Sequence, residues 1–295
     1  MNITPTATKS EPCRSAFGLP GMRKTTLLAA AVLLGSPGLT LAQNTPEENN
    51  PNVEAPFVRN IRADRPGQTI TAQVLRAGRF QVEAGTQRTA PGSGAGLLGS
   101  GATRRVGFFN SMELRVSQPY LHRYNRTNSD SGQVESASGW APVVLGAKFM
   151  VSPNFDTRTQ VAILVESPVP NTGNHALAIK GLAPSARLLV SEQIGQRYGL
   201  EANFGFSQPG MRVVDIEKGQ FLGTLALNGP ITSKTGFFVE GYGTGRSALT
   251  SGTTAGLYWR PVPQVRIDVN AGRVLGGTAS GTTTVGAGMV FKVGK

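Results

Sequence analysis

The stretch Tyr198-Gly-Leu-Glu-Ala-Asn-Phe-Gly-Phe-Ser207 decides the fold class, because large apolar residues alternate with small or polar ones along it. Side chains of a β-strand point to opposite faces in turn, so this period of two predicts a strand with one apolar and one polar face. The same period recurs at 237–242 and 265–272, again with charges in mid-strand. A soluble sandwich would bury one face in a core, whereas a membrane barrel shows the apolar face to lipid.

Alternation and turn signals predict about twelve strands in the chain. Most of them are close to the length of about 9–11 residues that a tilted strand needs to cross a bilayer. The predicted strands are Gly78–Thr86, Arg104–Phe109, Met112–Tyr124, Ala141–Val151, Thr157–Glu166, Pro184–Ile194, Arg197–Ser207, Gln220–Asn228, Gly236–Tyr242, Thr253–Arg260, Gln264–Gly272 and Thr282–Lys292.

The lengths of the predicted connections separate the two folds. Every other connection is long, such as Asn125–Trp140 and Ser167–Ala183, and those between are short, such as Asn110-Ser111 and Gly195-Gln196. Outer-membrane barrels combine an even strand number with short periplasmic turns and long outer loops. The sequence therefore predicts an all-β, about twelve-stranded antiparallel transmembrane β-barrel over residues 78–295. Both chain ends are expected in the periplasm.

The polar faces of these strands carry many ionisable residues, and the apolar faces carry almost none. A Lys or Arg on the lipid face costs about 2–4 kcal/mol at mid-bilayer, so we predict that the charged face lines the lumen. Two interpretations stay open: the charges fill the lumen by neutralising one another, or they line a narrow solute channel. The residues predicted to line the lumen are Glu83, Glu113, Arg115, Lys148, Glu166, Arg187, Glu201, Glu240, Arg266 and Asp268.

The N-terminal part of the chain has the features of an export signal. Met22-Arg-Lys24 precedes the apolar run Thr25–Leu34, and the small residue Ala42 ends the segment. This pattern predicts a signal peptide region over residues 1–42, with Met22 as an alternative start, an uncleaved anchor helix being the weaker interpretation. Residues 43–77 are predicted to form a flexible periplasmic segment that acts as a plug or lid, or merely links to the first strand.

Composition narrows the classes of function. The formal charge is +12, but Lys and Arg are dispersed, which disfavours nucleic-acid binding and leaves anionic lipid head groups as a plausible partner. The single cysteine, Cys13, lies in the signal region, so neither disulfides nor thiolate metal sites are expected in the mature chain. His122 and His175 belong to no metal or phosphate motif, so we predict no cofactor and no enzyme. A barrel phospholipase with a Ser–His pair is the less favoured alternative.

Several short motifs resemble a family of bacterial outer-membrane proteins labelled as a meta-pathway of phenol degradation and often described as transporters. The similarity extends from Ile61 to Phe291. The motifs are Asp64-Arg-Pro-Gly67, Gly78-Arg-Phe-Gln-Val-Glu83, Ser111-Met-Glu-Leu-Arg-Val116, Leu145-Gly-Ala-Lys-Phe149, Leu200-Glu-Ala-Asn-Phe-Gly205 and Phe238-Val-Glu-Gly-Tyr242.

The resemblance implies an exported barrel that passes small, aromatic or hydrophobic solutes. A structural or surface-interaction barrel with a filled lumen is the alternative. The expected partners are outer-membrane lipid, the outer-membrane assembly machinery and a small-molecule solute. The chain departs from barrels that end on an aromatic residue read by that machinery, since Phe291 is followed by Lys-Val-Gly-Lys295.

Overall fold

The computed structural model describes residues 61, 63–90, 97–127, 134–152, 158–179, 181–195, 197–208, 219–246 and 248–293. The predicted signal peptide and its cleavage point lie outside these residues. No helix in this part of the chain is long and apolar enough to cross a membrane. A short 3-10 helix occupies His175–Leu177. The strands are β1 (Phe80–Ala90), β2 (Leu97–Phe109), β3 (Met112–Thr127), β4 (Val134–Trp140), β5 (Val144–Met150), β6 (Thr159–Pro168), β7 (Ser185–Ile194), β8 (Tyr198–Ser207), β9 (Gln220–Pro230), β10 (Thr235–Gly245), β11 (Leu249–Val262), β12 (Val265–Gly276) and β13 (Thr283–Val293).

The sheet closes on itself. Each strand pairs with an antiparallel neighbour in the order β2-β1-β13-β12-β11-β10-β9-β8-β7-β6-β5-β3, and the pairing of β2 with β3 completes the ring. The strand β4 pairs only with β3 and stays outside the ring, so twelve of the thirteen strands form the barrel. The predicted twelve-stranded antiparallel barrel is confirmed. Closure gives each of the twelve described ring strands a partner on both sides, as a spanning sheet requires in lipid.

The two faces of the strands have opposite chemistry. In β12, Ile267 and Val269 are exposed to 38% and 52%, whereas Asp268 and Asn270 between them are exposed to 1% and 9%. The same alternation places Val239 outside and Glu240 inside on β10. An apolar exterior around a charged interior is the arrangement that a lipid solvent selects.

Three details of the predicted connections are wrong. The strand β4 lies inside the predicted loop Asn125–Trp140, and β2 begins at Leu97, inside the predicted loop Gln87–Thr103. The connection 246–248 is short where the loop Gly243–Gly252 was predicted. These regions are rich in Gly, Ser and Thr, so they lack an apolar alternation and become strands through pairing with neighbours, as Gly99 does with Leu121.

Residues 61–75 precede β1 and lie within the ring; they are called the inner segment below. The segment forms neither helix nor strand, and residue 62 lies outside the described set. Its residues Ile70, Ala72 and Val74 form a small apolar cluster with Ala162, Leu164 and Leu189 of β6 and β7. The segment contacts Glu83 of β1 and, on the far side of the ring, Ser191 of β7 and Asn203 of β8, so it lies across the lumen.

Candidate functional site

The backbone of the inner segment is held by side chains of the barrel wall. Because the segment has no secondary structure, its N–H and C=O groups need partners elsewhere. Glu240 accepts hydrogen bonds from the N–H groups of Gln68, at 2.9 Å, and of Thr69. The Asn203 amide accepts from the N–H of Ile70 at 2.7 Å and donates to its carbonyl at 2.8 Å. The wall thus recognises the main chain as a neighbouring strand would.

Further wall groups continue this pattern on both sides of the lumen. Ser191 Oγ accepts from Ala72 N at 2.9 Å, and Glu113 Oε2 accepts from Leu75 N at 2.9 Å. Three wall cations donate to carbonyls of the segment: Lys148 to Thr71 at 2.9 Å, Arg105 to Gln73 at 3.2 Å and Arg187 to Gln68 at 3.3 Å.

Asp64 is the centre of a buried charge network. Its carboxylate contacts Arg115 Nη1, lies 3.1 Å from Lys148 Nζ and lies 3.4 Å from Arg105 Nη1. The backbone N–H of Asp64 donates to Glu83 Oε2 at 3.0 Å. One residue of the inner segment is therefore bound by four wall residues from β1, β2, β3 and β5.

The wall residues of this network also pair with one another. Arg105 binds both oxygens of Glu113 at 2.9 Å and donates to Glu83 at 2.9 Å. Arg115 Nε lies 3.1 Å from Glu166 Oε1. Together with Asp64 these residues form the Asp64 cluster, which contains three cations and four carboxylates: Asp64, Glu83, Arg105, Glu113, Arg115, Lys148 and Glu166.

The electrostatics of the cluster fix Asp64 in its charged form. Burial, the largest influence, raises the pKa of Asp64, but the opposing attractions of Arg105, Lys148 and Arg115 together lower that pKa well below its usual value. Lys148 is fully buried. Removing one partner of such a buried set leaves an unpaired charge and costs about 3–5 kcal/mol.

Two glycines allow the segment to approach the wall at Arg65. The guanidinium of Arg65 lies against Gly85 of β1 and Gly288 of β13, where any β-carbon would overlap it. Arg65 Nη2 donates to the carbonyl of Ala287 at 3.1 Å and lies 3.5 Å from Asp268 Oδ1. The two glycines therefore leave the space in the wall that the Arg65 side chain of the inner segment occupies.

A second set of polar residues surrounds a small cavity of about 50 Å³ on one side of the inner segment. Glu201, Glu240, Arg266 and Tyr258 line it. The Arg266 guanidinium lies 4.1 Å from the centre of the Tyr258 ring, a cation–π contact. Tyr258 lies on the inward row of β11 and is only 7% exposed.

Two further cavities adjoin the inner segment. One of about 250 Å³ is lined by Asp64, Arg65 and Arg115 together with hydroxyl-bearing Thr103 and Ser117. Another of about 160 Å³ is lined by wall residues of β7 to β10 and by Gln68 of the segment: Ser185, Arg187, Gly205, Phe206, Ser207, Leu222, Tyr242 and Thr244. The described lumen is thus interrupted by the segment but not filled.

The structure distributes the predicted lumen residues over several contacts. Five of them, Glu83, Glu113, Arg115, Lys148 and Glu166, meet in the Asp64 cluster. Glu201, Glu240 and Arg266 surround the 50 Å³ cavity. Arg187 and Asp268 each contact the inner segment separately, through Gln68 and Arg65.

Sequence reasoning missed Asp64, Arg105, Asn203 and Ser191 as members of the site. The alternation of Arg105 and Gly107 with Val106 and Phe108 was a signal that could have found Arg105. Asp64 carried no such signal, because Asp-Arg-Pro-Gly is typical of a turn.

A Ser–His contact lies on the outward face of β2 and β3. Ser100 Oγ is 2.7 Å from His122 Nε2, and the Tyr120 ring packs edge-on against the imidazole at 4.9 Å between centres. Nucleophilic catalysis also needs a group that orients the histidine. The described residues provide no such carboxylate hydrogen bond, and they contain no group of three metal-ligating side chains.

Comparison with known proteins gives a family and a fold. The model of the family described as "Putative MetA-pathway of phenol degradation" matches residues 63–293. No curated protein matches the chain. An outer-membrane channel from Pseudomonas putida F1 is 12% identical, with a TM-score of 0.61 over 78% of this chain and 99% of that one.

Two porins have the same fold at lower similarity. The NanC porin is 9% identical, with a TM-score of 0.51 over 72% of this chain and 100% of its own. A KdgM porin in complex with disordered oligogalacturonate is 8% identical, with a TM-score of 0.51 over 72% of this chain and 98% of its own. At these identities the likeness concerns the fold, which is that of outer-membrane barrels.

Proposed function

We propose that the chain is an outer-membrane channel for small solutes and that the inner segment is its gate. The chain belongs to the family described above, since the family model matches residues 63–293. The observation that carries this proposal is the way in which the segment is bound. Side chains of the wall satisfy its backbone, whereas the apolar contacts are few: Ile70, Ala72 and Val74 pack into a small cluster, and Ile61 and Leu75 are also buried.

Such binding is suited to release. Each wall group that binds the segment is a carboxylate, amide, hydroxyl or cation, and each would exchange its bond for one to water when the segment leaves. Because water offers a substitute, a net hydrogen bond contributes about 0.5–1.5 kcal/mol between neutral groups and about 1.5–3 kcal/mol when one group is charged. A permanently filled core would instead use apolar packing, which has no substitute in water.

The wall beyond the segment leaves room for a passage. Inward positions of β2 and β8 towards the long loops are occupied by small residues, among them Gly101 and Gly205. The cavities of about 250 and 160 Å³ lie among these residues. Withdrawal of the segment would join them into a hydrophilic lumen.

The lining favours small polar or anionic solutes, and the family description supports aromatic ones. Arg65 and Arg115 border one cavity beside the carboxylates of Asp64 and Glu83, whereas Arg187 and Tyr242 border the other without a carboxylate. Hydroxyl groups such as those of Ser117 and Ser207 complete the lining. Guanidinium groups bind carboxylates with two parallel hydrogen bonds, whereas an aromatic ring stacks on either guanidinium or tyrosine.

A structural barrel with a filled lumen is the second candidate, because the charges of the Asp64 cluster nearly balance. Ion conductance in planar bilayers separates the two functions. We expect rare, brief openings of the full chain, and sustained conductance of a variant that lacks residues 61–75. A variant that folds as a barrel without this segment and still does not conduct would favour the structural barrel.

A further inference from the structure

The barrel wall is interrupted between β3 and β5. The ladder between them runs from the pair Met112–Phe149 to the pair Ser117–Val144. The same register would place Gln118 opposite Val143 and then Pro119 opposite Pro142, and neither proline has an N–H to donate. Beyond this point β3 pairs with β4 instead, beginning at Tyr120 and Trp140. The opposed prolines therefore end the ladder at a defined height in the wall.

Gln118 closes the interruption. Its Nε2 donates to the carbonyl of Ala141 at 2.9 Å, and Ala141 N donates to the carbonyl of Pro119 at 3.0 Å. Gln118 also borders two cavities at once: the inner one of about 250 Å³ and a groove of about 590 Å³ lined by Arg104, Trp140, Gly173 and Asn174. Gln118 thus lies between the inner cavity and this groove.

The groove has an unusual lining for a lipid-facing surface. Arg104 is exposed on the outward row of β2, where it is paired with Val82 and Val116. Along β2, Arg104 lies midway between Phe108, which is exposed, and Ser100, which pairs with Tyr120 of β3. An arginine at mid-bilayer is destabilising when lipid surrounds it. Within the described part of the chain its guanidinium has no hydrogen bond or ion pair, so an anionic partner would offset this cost.

We propose that this interruption is a lateral portal between the lumen and the outer leaflet, used by amphiphiles with an anionic head and an aromatic or hydrocarbon body. Arg104 binds the head, and Trp140, exposed to 52%, packs against the body. Gln118 closes the portal, and its amide is held there by the hydrogen bond to the Ala141 carbonyl at 2.9 Å and by a long contact with the carbonyl of the adjacent Pro119 at 3.5 Å. The inference deepens the proposed channel function, since the portal opens into the cavity on one side of the inner segment.

Thiol labelling in lipid nanodiscs tests the portal. The full chain carries one added cysteine on the inward face, either Ser117→Cys beside the portal or Thr244→Cys in the other cavity. Two reagents are compared: N-dodecylmaleimide, which is dissolved in the bilayer, and sulfonatoethyl methanethiosulfonate, which stays in water. We expect the lipid-dissolved reagent to modify Ser117→Cys but not Thr244→Cys. The water-soluble reagent should reach both.

Two further substitutions test the role of Gln118 and the head-group site. Gln118→Trp should fill the gap and slow lipid-side labelling of Ser117→Cys severalfold, whereas Val239→Trp, an outward change on β10, should leave it unchanged. Sodium dodecanoate in the bilayer should protect the thiol, and Arg104→Gln should raise the protecting concentration about tenfold, the value of one charge-assisted hydrogen bond. Arg104→Lys should keep most of the protection.

The outcomes separate the portal from the channel. Equal lipid-side labelling of both cysteines, no lipid-side labelling, or no effect of Gln118→Trp would overturn the portal while leaving the channel untouched. Failure of the water-soluble reagent to reach either cysteine would show a sealed lumen and overturn the channel. If the lipid-dissolved reagent labels Ser117→Cys and Gln118→Trp blocks this labelling, the portal is supported whether or not the water-soluble reagent enters the lumen.

Discussion

Replacing Asp64 by asparagine should open the channel, because this side chain anchors the inner segment to the wall. The substitution keeps the shape and one oxygen acceptor but removes the charge that faces Arg105, Arg115 and Lys148. Loss of one partner from a buried ion group costs about 3–5 kcal/mol, and the remaining amide contacts place Asp64→Asn near about 3 kcal/mol. That corresponds to about a hundredfold in the ratio of open to closed channels.

Single-channel recording in planar bilayers measures this ratio directly. The matched control is Glu192→Gln, which removes a carboxylate that lies 2.8 Å from Arg158 in a pair exposed to solvent. Exposed pairs of this kind contribute about 0–1 kcal/mol, so the control should leave the open fraction unchanged. If Asp64→Asn and the control open equally often, the Asp64 cluster does not hold the gate and the reasoning fails.

Three further predictions concern pH, the wall site that Arg65 occupies and the lipid-facing side of the strands. The pKa of Asp64 in the folded protein lies below its value in water, so the charged carboxylate stabilises the closed state above about pH 4, and this stabilisation is lost as the pH falls through the folded pKa. The open probability should therefore stay low from pH 8 to about pH 5. Opening between pH 7 and 5 would contradict this prediction. Gly288→Val should displace Arg65 and raise conductance, whereas Gly241→Val, whose β-carbon meets no neighbour, should not. Ile267→Arg should reduce the folded fraction seen by gel shift, since the lipid-face cost is about 2–4 kcal/mol, and an unchanged folded yield would refute the facing of β12.

Strand facing was predictable wherever one residue in two must be apolar. In β12 the lipid requires Ile267 and Val269 outside, so their polar neighbours Asp268 and Asn270 must lie inside. This constraint weakens where the chain leaves the membrane. The strand β4 and the Gly-rich start of β2 at Leu97 carry no apolar alternation, and only pairing with β3 and β1 makes them strands.

The contacts of the site were less predictable than its composition. Inward charges such as Lys148 follow from alternation, but their partners depend on where the inner segment enters the closed ring. Asp64 stands in a turn-like motif, and only barrel closure brings β2, β3 and β5 around it. Likewise, Pro119 and Pro142 face each other only because of the register between β3 and β5, and this register could not be predicted from the sequence.

A reversible lock of the inner segment tests the central claim most directly. Thr71 Oγ1 lies 3.5 Å from Ser191 Oγ, so the double substitution Thr71→Cys and Ser191→Cys brings two thiols together between the segment and β7. The sequence has one natural cysteine, Cys13, which lies in the predicted signal region. Combined with Asp64→Asn, this pair should give a channel that conducts under reducing conditions and closes on oxidation, with the conductance restored by reductant. Conductance that persists while the disulfide is formed would contradict the claim that the inner segment is the gate.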